Sequence, residues 1–99
     1  MILRMQGILT QDELQRYSRK FLCGLYRMTH QDLNKNVKGI DVFFKNVSTE
    51  AYERPSFGFQ ATNEIIQELV QKEFIEAGNA SEEIKLTQKG LAKCKEDCR

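Results

Sequence analysis

Residues 61–91 read ATNEIIQELVQKEFIEAGNASEEIKLTQKGL, and the pattern within them decides the fold. Ile65, Ile66, Leu69 and Val70 recur at the three- and four-residue spacing of a helix with one apolar stripe. Thr62, just ahead of them, can supply the N-cap. Phe74-Ile75 and Ile84-x-Leu86 then read as two short strands joined by a turn around Gly78-Asn79-Ala80. Thr87 can cap a last helix whose inward face is Leu91, Cys94 and Cys98. The order is therefore helix, tight hairpin, helix.

Upstream, Thr10 and Glu13 have the spacing of a capping box, and Leu9 can staple onto Leu14. Leu14, Tyr17, Phe21, Leu25 and Met28 follow at helical spacing, with Ser18 and Leu22 beside them, which predicts a helix from about residue 10 to 28. Its opposite face carries Arg16, Arg19, Lys20, Cys23 and Arg27. Thr29 and Asp32 can cap a second helical stretch. There Leu33, Val37, Ile40, Phe44 and Val47 keep the rhythm through Gly39. An interior glycine costs ~1 kcal/mol relative to alanine, so this helix is expected in two pieces or bent at Gly39. Residues 49–60 hold the one proline, Pro55, and few periodic apolar positions, and read as the loop before the third helix. Leu14, Phe21, Leu25, Ile40, Phe44, Ile66, Leu69, Val70, Ile75, Ile84 and Leu86 are the expected core.

The chain has 99 residues, which bounds it to one domain over 1–99 with a single core. No run approaches the ~20 apolar residues of a membrane span, and MILRMQGIL lacks a following small-residue cleavage site, so neither a span nor a secretory signal is expected. Three cysteines, an odd count, fit a reducing cytoplasm better than a disulfide framework. The net charge of +1 predicts no polyanion partner by itself. Its distribution is uneven. Residues 1–54 carry nine Lys/Arg against six Asp/Glu, whereas residues 55–99 carry six against eight.

The run Ile65-Ile66-x-x-Leu69-Val70-x-Lys72-x-Phe74-Ile75, followed by Ile84-x-Leu86-Thr87-x-Lys89-Gly90, resembles the recognition helix and wing of MarR- and PadR-type winged helix-turn-helix regulators. The resemblance covers the C-terminal third, and the first two helices agree in number and order. It implies an α+β, mostly α fold: a three-helix core, a short β-hairpin wing and a short C-terminal helix. Those families often end the recognition helix on Leu-x-x-x-Gly-Leu-Ile and leave the wing through Leu-Thr-x-x-Gly. This chain has Glu73 where the first pattern has glycine, the residue that tolerates a left-handed backbone. A third helix running slightly longer is therefore expected, without a left-handed turn at Glu73.

The resemblance implies a small DNA-binding transcriptional regulator. In that account Asn63, Gln67 and Gln71 face bases, since amides pair with adenine edges, while Arg54, Lys85 and Lys89 face phosphates. Reading a palindromic site would require a homodimer, for which the apolar segment 1–9 could supply an interface or a first strand. Against DNA, Glu64 and Glu68 on the helix and Glu76, Glu82 and Glu83 on the wing oppose a phosphate backbone. The alternative is a winged-helix module that binds protein and no DNA. Its docking surface would be the basic face Arg16, Arg19, Lys20 and Arg27, turned to an acidic partner, or the acidic wing. The arginines around Cys23 favour a thiolate, making it the candidate reactive thiol, and His30 would project near the same stripe one further turn on, beyond Arg27, if the helix persists. Cys94 and Cys98 read as small core-facing hydrophobes. One histidine, no Gly-rich phosphate loop and no nucleophile motif point away from an enzyme, a metal site or a cofactor.

Overall fold

The computed structural model describes residues 7–49, 53–78 and 83–98. Its first helix, α1 (Gln11–Thr29), begins as the sequence predicts. Thr10 Oγ1 accepts from the Glu13 amide at 3.1 Å, and Glu13 Oε1 accepts from the Thr10 amide at 3.0 Å. Leu9 and Leu14 are both buried, as a hydrophobic staple requires.

The helix ends at His30 and does not run on. His30 takes a left-handed backbone (φ 55°), and the amides of His30 and Gln31 return to the carbonyls of Arg27 and Tyr26. Thr29 does not cap a following helix; its buried hydroxyl donates back to the Leu25 carbonyl at 2.9 Å. Asp32 instead accepts from the Asn34 amide at 2.9 Å, closing a turn. The next segment corrects the expectation of a two-piece helix. Val37–Lys38 form a strand, β1, and α2 runs only over Gly39–Asn46. This shifts the helix phase, so Val42 and Phe43 are fully buried while Ile40 and Phe44 are partly exposed.

The third helix, α3 (Pro55–Gln71), starts seven residues earlier than Thr62. Pro55 sets its start: a proline at the first helical positions has the right φ and loses no needed donor, while the preceding Arg54 is held outside the helix. Thr62 therefore sits inside the helix, 4% exposed, with no partner for its hydroxyl among the described residues. Its inward stripe is Gly58, Ala61, Thr62, Ile65, Ile66 and Leu69. Val70, expected in the core, is 39% exposed.

α3 ends in the left-handed turn at Glu73 (φ 68°), against expectation. The Phe74 amide returns to the Leu69 carbonyl at 2.9 Å and the Glu73 amide to Val70 at 2.9 Å, the paired bonds of a Schellman motif. β2 (Ile75–Ala77) and β3 (Glu83–Leu86) then pair antiparallel, with Ile75 opposite Leu86 and Ala77 opposite Ile84. Strand β1 adds to the free edge of β3, Val37 opposite Ile84, giving the sheet order β1-β3-β2. The hairpin tip at Asn79-Ala80, Glu82 and residues 1–6 lie outside the described residues. α4 (Gln88–Asp97) comes next, capped by Thr87 as expected, whose Oγ1 accepts from the Gly90 amide at 2.9 Å.

The element order α1-β1-α2-α3-β2-β3-α4 is an α+β, mostly α, winged-helix-like layout. Its core joins Phe21 and Leu25 of α1, Val42 and Phe43 of α2, Ile65 and Leu69 of α3, and Ile75, Ile84 and Leu86 of the sheet. Phe43 and Phe57 meet edge to face at 6.2 Å. Among the described residues, no helix is long and apolar enough to cross a membrane.

Two substitutions test this arrangement. Glu73→Gly removes the Cβ clash of the left-handed backbone, and the denaturant midpoint should rise by the equivalent of about 1 kcal/mol. Gly90→Ala should instead lower stability by ~1–3 kcal/mol, because a Cβ at Gly90 would run into the carbonyl of Phe74.

Candidate nucleic-acid interface

The outer face of α3 is longer than the sequence indicated. Ser56, Gln60, Asn63, Gln67 and Gln71 are all exposed and succeed one another at three- or four-residue steps. Asn63, Gln67 and Gln71 thus share a face as predicted. Ser56 and Gln60 extend it and were missed because the helix was expected to begin at Thr62. Pro55 was the available signal. Phe59, 58% exposed, and Val70 flank this ridge.

The two helix glutamates do not stand on that ridge. Glu64 is half-buried and grips the segment entering α1, its Oε2 accepting from the Ile8 amide at 2.7 Å and its Oε1 from Leu9 at 3.2 Å. Glu68 pairs with Lys72 at 2.9 Å, one turn along. Both carboxylates lie on the flank of α3, and the ridge between them and Val70 is uncharged.

The cations expected at phosphates are split between the ends of this ridge. Arg54 is the N-cap residue of α3, its guanidinium 5.0 Å from the Phe57 ring centroid. Seventeen residues on, about 25 Å along the axis, stand Lys72, Lys85 and Lys89. Lys85 is paired to Glu76 at 4.0 Å across the hairpin. Lys89 is 3.6 Å from Glu73 and 5.8 Å from the Phe74 ring centroid. These are exposed contacts of small individual worth, which a phosphate can displace.

The basic face of α1 is also partly committed. Arg16 pairs with Asp12 at 3.2 Å, and an Arg19 nitrogen donates to the Asp97 carbonyl at 3.4 Å. Lys20 and Arg27 are exposed. His30 does not project along this face, because the helix has already turned left-handed there.

Cys23 is not a free reactive thiol. It is 9% exposed and disulfide-bonded to Cys98, with Cα atoms 5.5 Å apart. The end of α4 covers a position that α1's own periodicity places outside. Two of the three cysteines are therefore paired, which removes the premise for inferring a reducing compartment from their odd count. Cys94 is the core-facing residue expected, fully buried, its thiol against the Leu22 carbonyl at 3.8 Å. Burial, with Asp97 nearby, pushes that thiol up to about 11.

Comparison with known protein families, curated proteins and solved structures returned no match.

Replacing Glu64 by Ala should release Gly7–Leu9 from α3, seen as faster amide exchange at Ile8 and Leu9 with α3 itself unchanged. The folded-state thiol of Cys94 lies above its ordinary value of 9.0, so its contribution to stability is complete below pH 9 and is lost as pH rises towards about 11. Alkylation of Cys94 in the folded, oxidised protein should stay slow until that range. Rapid alkylation at pH 8 would show the site to be open.

Proposed function

We propose that this chain is a winged-helix DNA-binding module of the transcription-regulator type, reading duplex DNA with the outer face of α3. The observation that carries this reading is the continuous ridge Ser56, Gln60, Asn63, Gln67 and Gln71, free of carboxylates, in a layout that presents its third helix outward. Amide side chains match the donor and acceptor pattern of adenine in the major groove. Arg54 at one end of the helix and Lys85 and Lys89 at the other are spaced to meet phosphates on either side of the groove. The resemblance to MarR- and PadR-type regulators belongs to this reading, as does a homodimer, since a palindromic site needs two reading helices.

A second reading has its own support. Phe59 and Val70 are large apolar side chains left exposed beside the ridge, and Lys85 and Lys89 already have carboxylate partners. This combination suits a protein partner that covers α3 without needing phosphates.

Titration of a mixed-sequence duplex by fluorescence anisotropy separates the two. The DNA reading expects binding at low salt that weakens as salt rises. Three phosphate contacts per copy give a slope of log K against log salt of about −3. On this mixed-sequence duplex Gln67→Ala should leave the slope unchanged, because an amide neutralises no phosphate, and Lys89→Ala should lower the slope by about one. No binding at low ionic strength, where the electrostatic contribution is greatest, would sink the DNA reading and leave the protein-partner one.

A further inference from the structure

All three cysteines of the chain meet where the end of α4 lies across the middle of α1. α4 is held there at its two ends by different means. Its first turn is fixed by hydrogen bonds: the Thr87 amide donates to the Phe74 carbonyl at 3.1 Å, and Thr87 Oγ1 donates to the Glu73 carbonyl at 2.7 Å. Its last turn, beyond Cys94, is tied to α1 by the Cys23–Cys98 bond and by the long Arg19 contact to the Asp97 carbonyl. The Lys93–Asp97 pair is internal to α4 and gives no hold on the rest of the molecule.

We propose that the Cys23–Cys98 disulfide is a redox latch that holds the last turn of α4 on α1 and releases it when reduced by a dithiol. Three observations carry this. First, the latched turn adds little to the core. Among the described residues, fifteen buried hydrophobics form the cluster; Cys94 is the one from α4 and precedes the latched turn, from which the partly buried Cys98 packs against the cluster. Second, the bond is within reach of a reductant. Cys98 is half-buried, and both cysteines line an open groove of about 210 Å³ between α1, the end of α3 and α4. Third, the pairing is unambiguous. Cys94 is one helical turn from Cys98, but its thiol is buried and held protonated, so it is a poor competitor for either sulfur.

The exchange balances without a further reactant. One thiolate of the dithiol attacks the sulfur of Cys98, the more exposed of the two residues, forming a mixed disulfide and expelling Cys23 as a thiolate. The second thiolate closes on the mixed bond, leaving a cyclic disulfide and the Cys98 thiolate. Cys23 and Cys98 each take a proton, and the two electrons come from the dithiol. The latch is independent of whether α3 reads DNA.

Thiol counting and hydrogen exchange on the full chain test it. Protein refolded with oxidised glutathione should show one titratable thiol under denaturing conditions, and protein treated with dithiothreitol three. On reduction, peptides spanning 91–98 should exchange faster by about tenfold or more, while peptides from α1 and α3 stay within about twofold. Cys98→Ser should show the reduced pattern without reductant, and Cys94→Ala should keep the response. Three thiols after oxidative refolding would overturn the proposal, since the pair would not form. Unchanged exchange at 91–98 would show that the bond latches nothing, and loss of protection throughout would make it a global staple.

Discussion

The structure hinges on the way Thr87 clasps the end of α3. Its amide and its hydroxyl reach the carbonyls of Phe74 and Glu73, the two residues that leave the helix, and its hydroxyl also receives the Gly90 amide. One residue thereby closes the base of the hairpin, terminates α3 and starts α4. The clasp requires Gly90, whose backbone lies against the Phe74 carbonyl too closely for any Cβ. The pattern Leu-Thr-x-x-Gly thus has a mechanical meaning in this chain. Leu86 fills the core, Thr87 ties three elements and Gly90 lets α4 pass. Fixing the base of the hairpin sets the register of Ile75 opposite Leu86, and Ile75, Ile84 and Leu86 all turn inward.

The same clasp accounts for Glu73. A left-handed backbone costs a non-glycine residue roughly 1–2 kcal/mol. Against this stand two Schellman bonds and the bond from Thr87, each contributing about 1 kcal/mol net. Local preference for a longer helix loses to the two Schellman bonds together with the Thr87 bond, which exists only once the hairpin has folded back. His30, where α1 ends in the same geometry, has no such clasp among the described residues, but histidine is among the residues that tolerate this region better. The sequence shows the side chain at such a site and hides the carbonyls waiting for its neighbours.

Elements whose signal is local were legible: the Thr10–Glu13 box, the hairpin strands and the Thr87 cap. Those whose cause is tertiary were not. Two residues of β1 are too few for an alternation to appear, and they are extended because β3 offers an edge at Ile84 and Glu83. The start of α3 was obscured because its first two turns carry Ser56, Phe59 and Gln60 outward, leaving few apolar positions to mark a period. A capping residue, Thr62, then stood where a start was expected. Of the candidate site, the faces of Asn63, Gln67 and Gln71 were legible because helical spacing alone decides them. The diversion of Glu64 to the Ile8 and Leu9 amides was not, since its partner lies 56 residues away.

The middle of α1 shows most clearly what one-dimensional periodicity omits. Phe21, Leu22, Cys23, Gly24 and Leu25 are buried in succession, so the helix has no solvent face there. Its apolar stripe meets the core, while the end of α2 closes over Gly24, where a Cβ would strike Asn46. The end of α4 closes over Cys23. Helical spacing puts Cys23 on the outer, basic face of α1, and neither Cys23 nor Gly24 is large or apolar enough to mark a second buried face. Small residues here are the sign of neighbours approaching, and a helix enclosed on three sides needs them where the neighbours cross. The apparent basic stripe is consequently interrupted at its centre. Arg16 and Arg19 are engaged on one side of the crossing, and Lys20 and Arg27 remain exposed around it. Charge counted along the helix overstates what α1 can offer a partner, just as charge counted along α3 overstates its acidity.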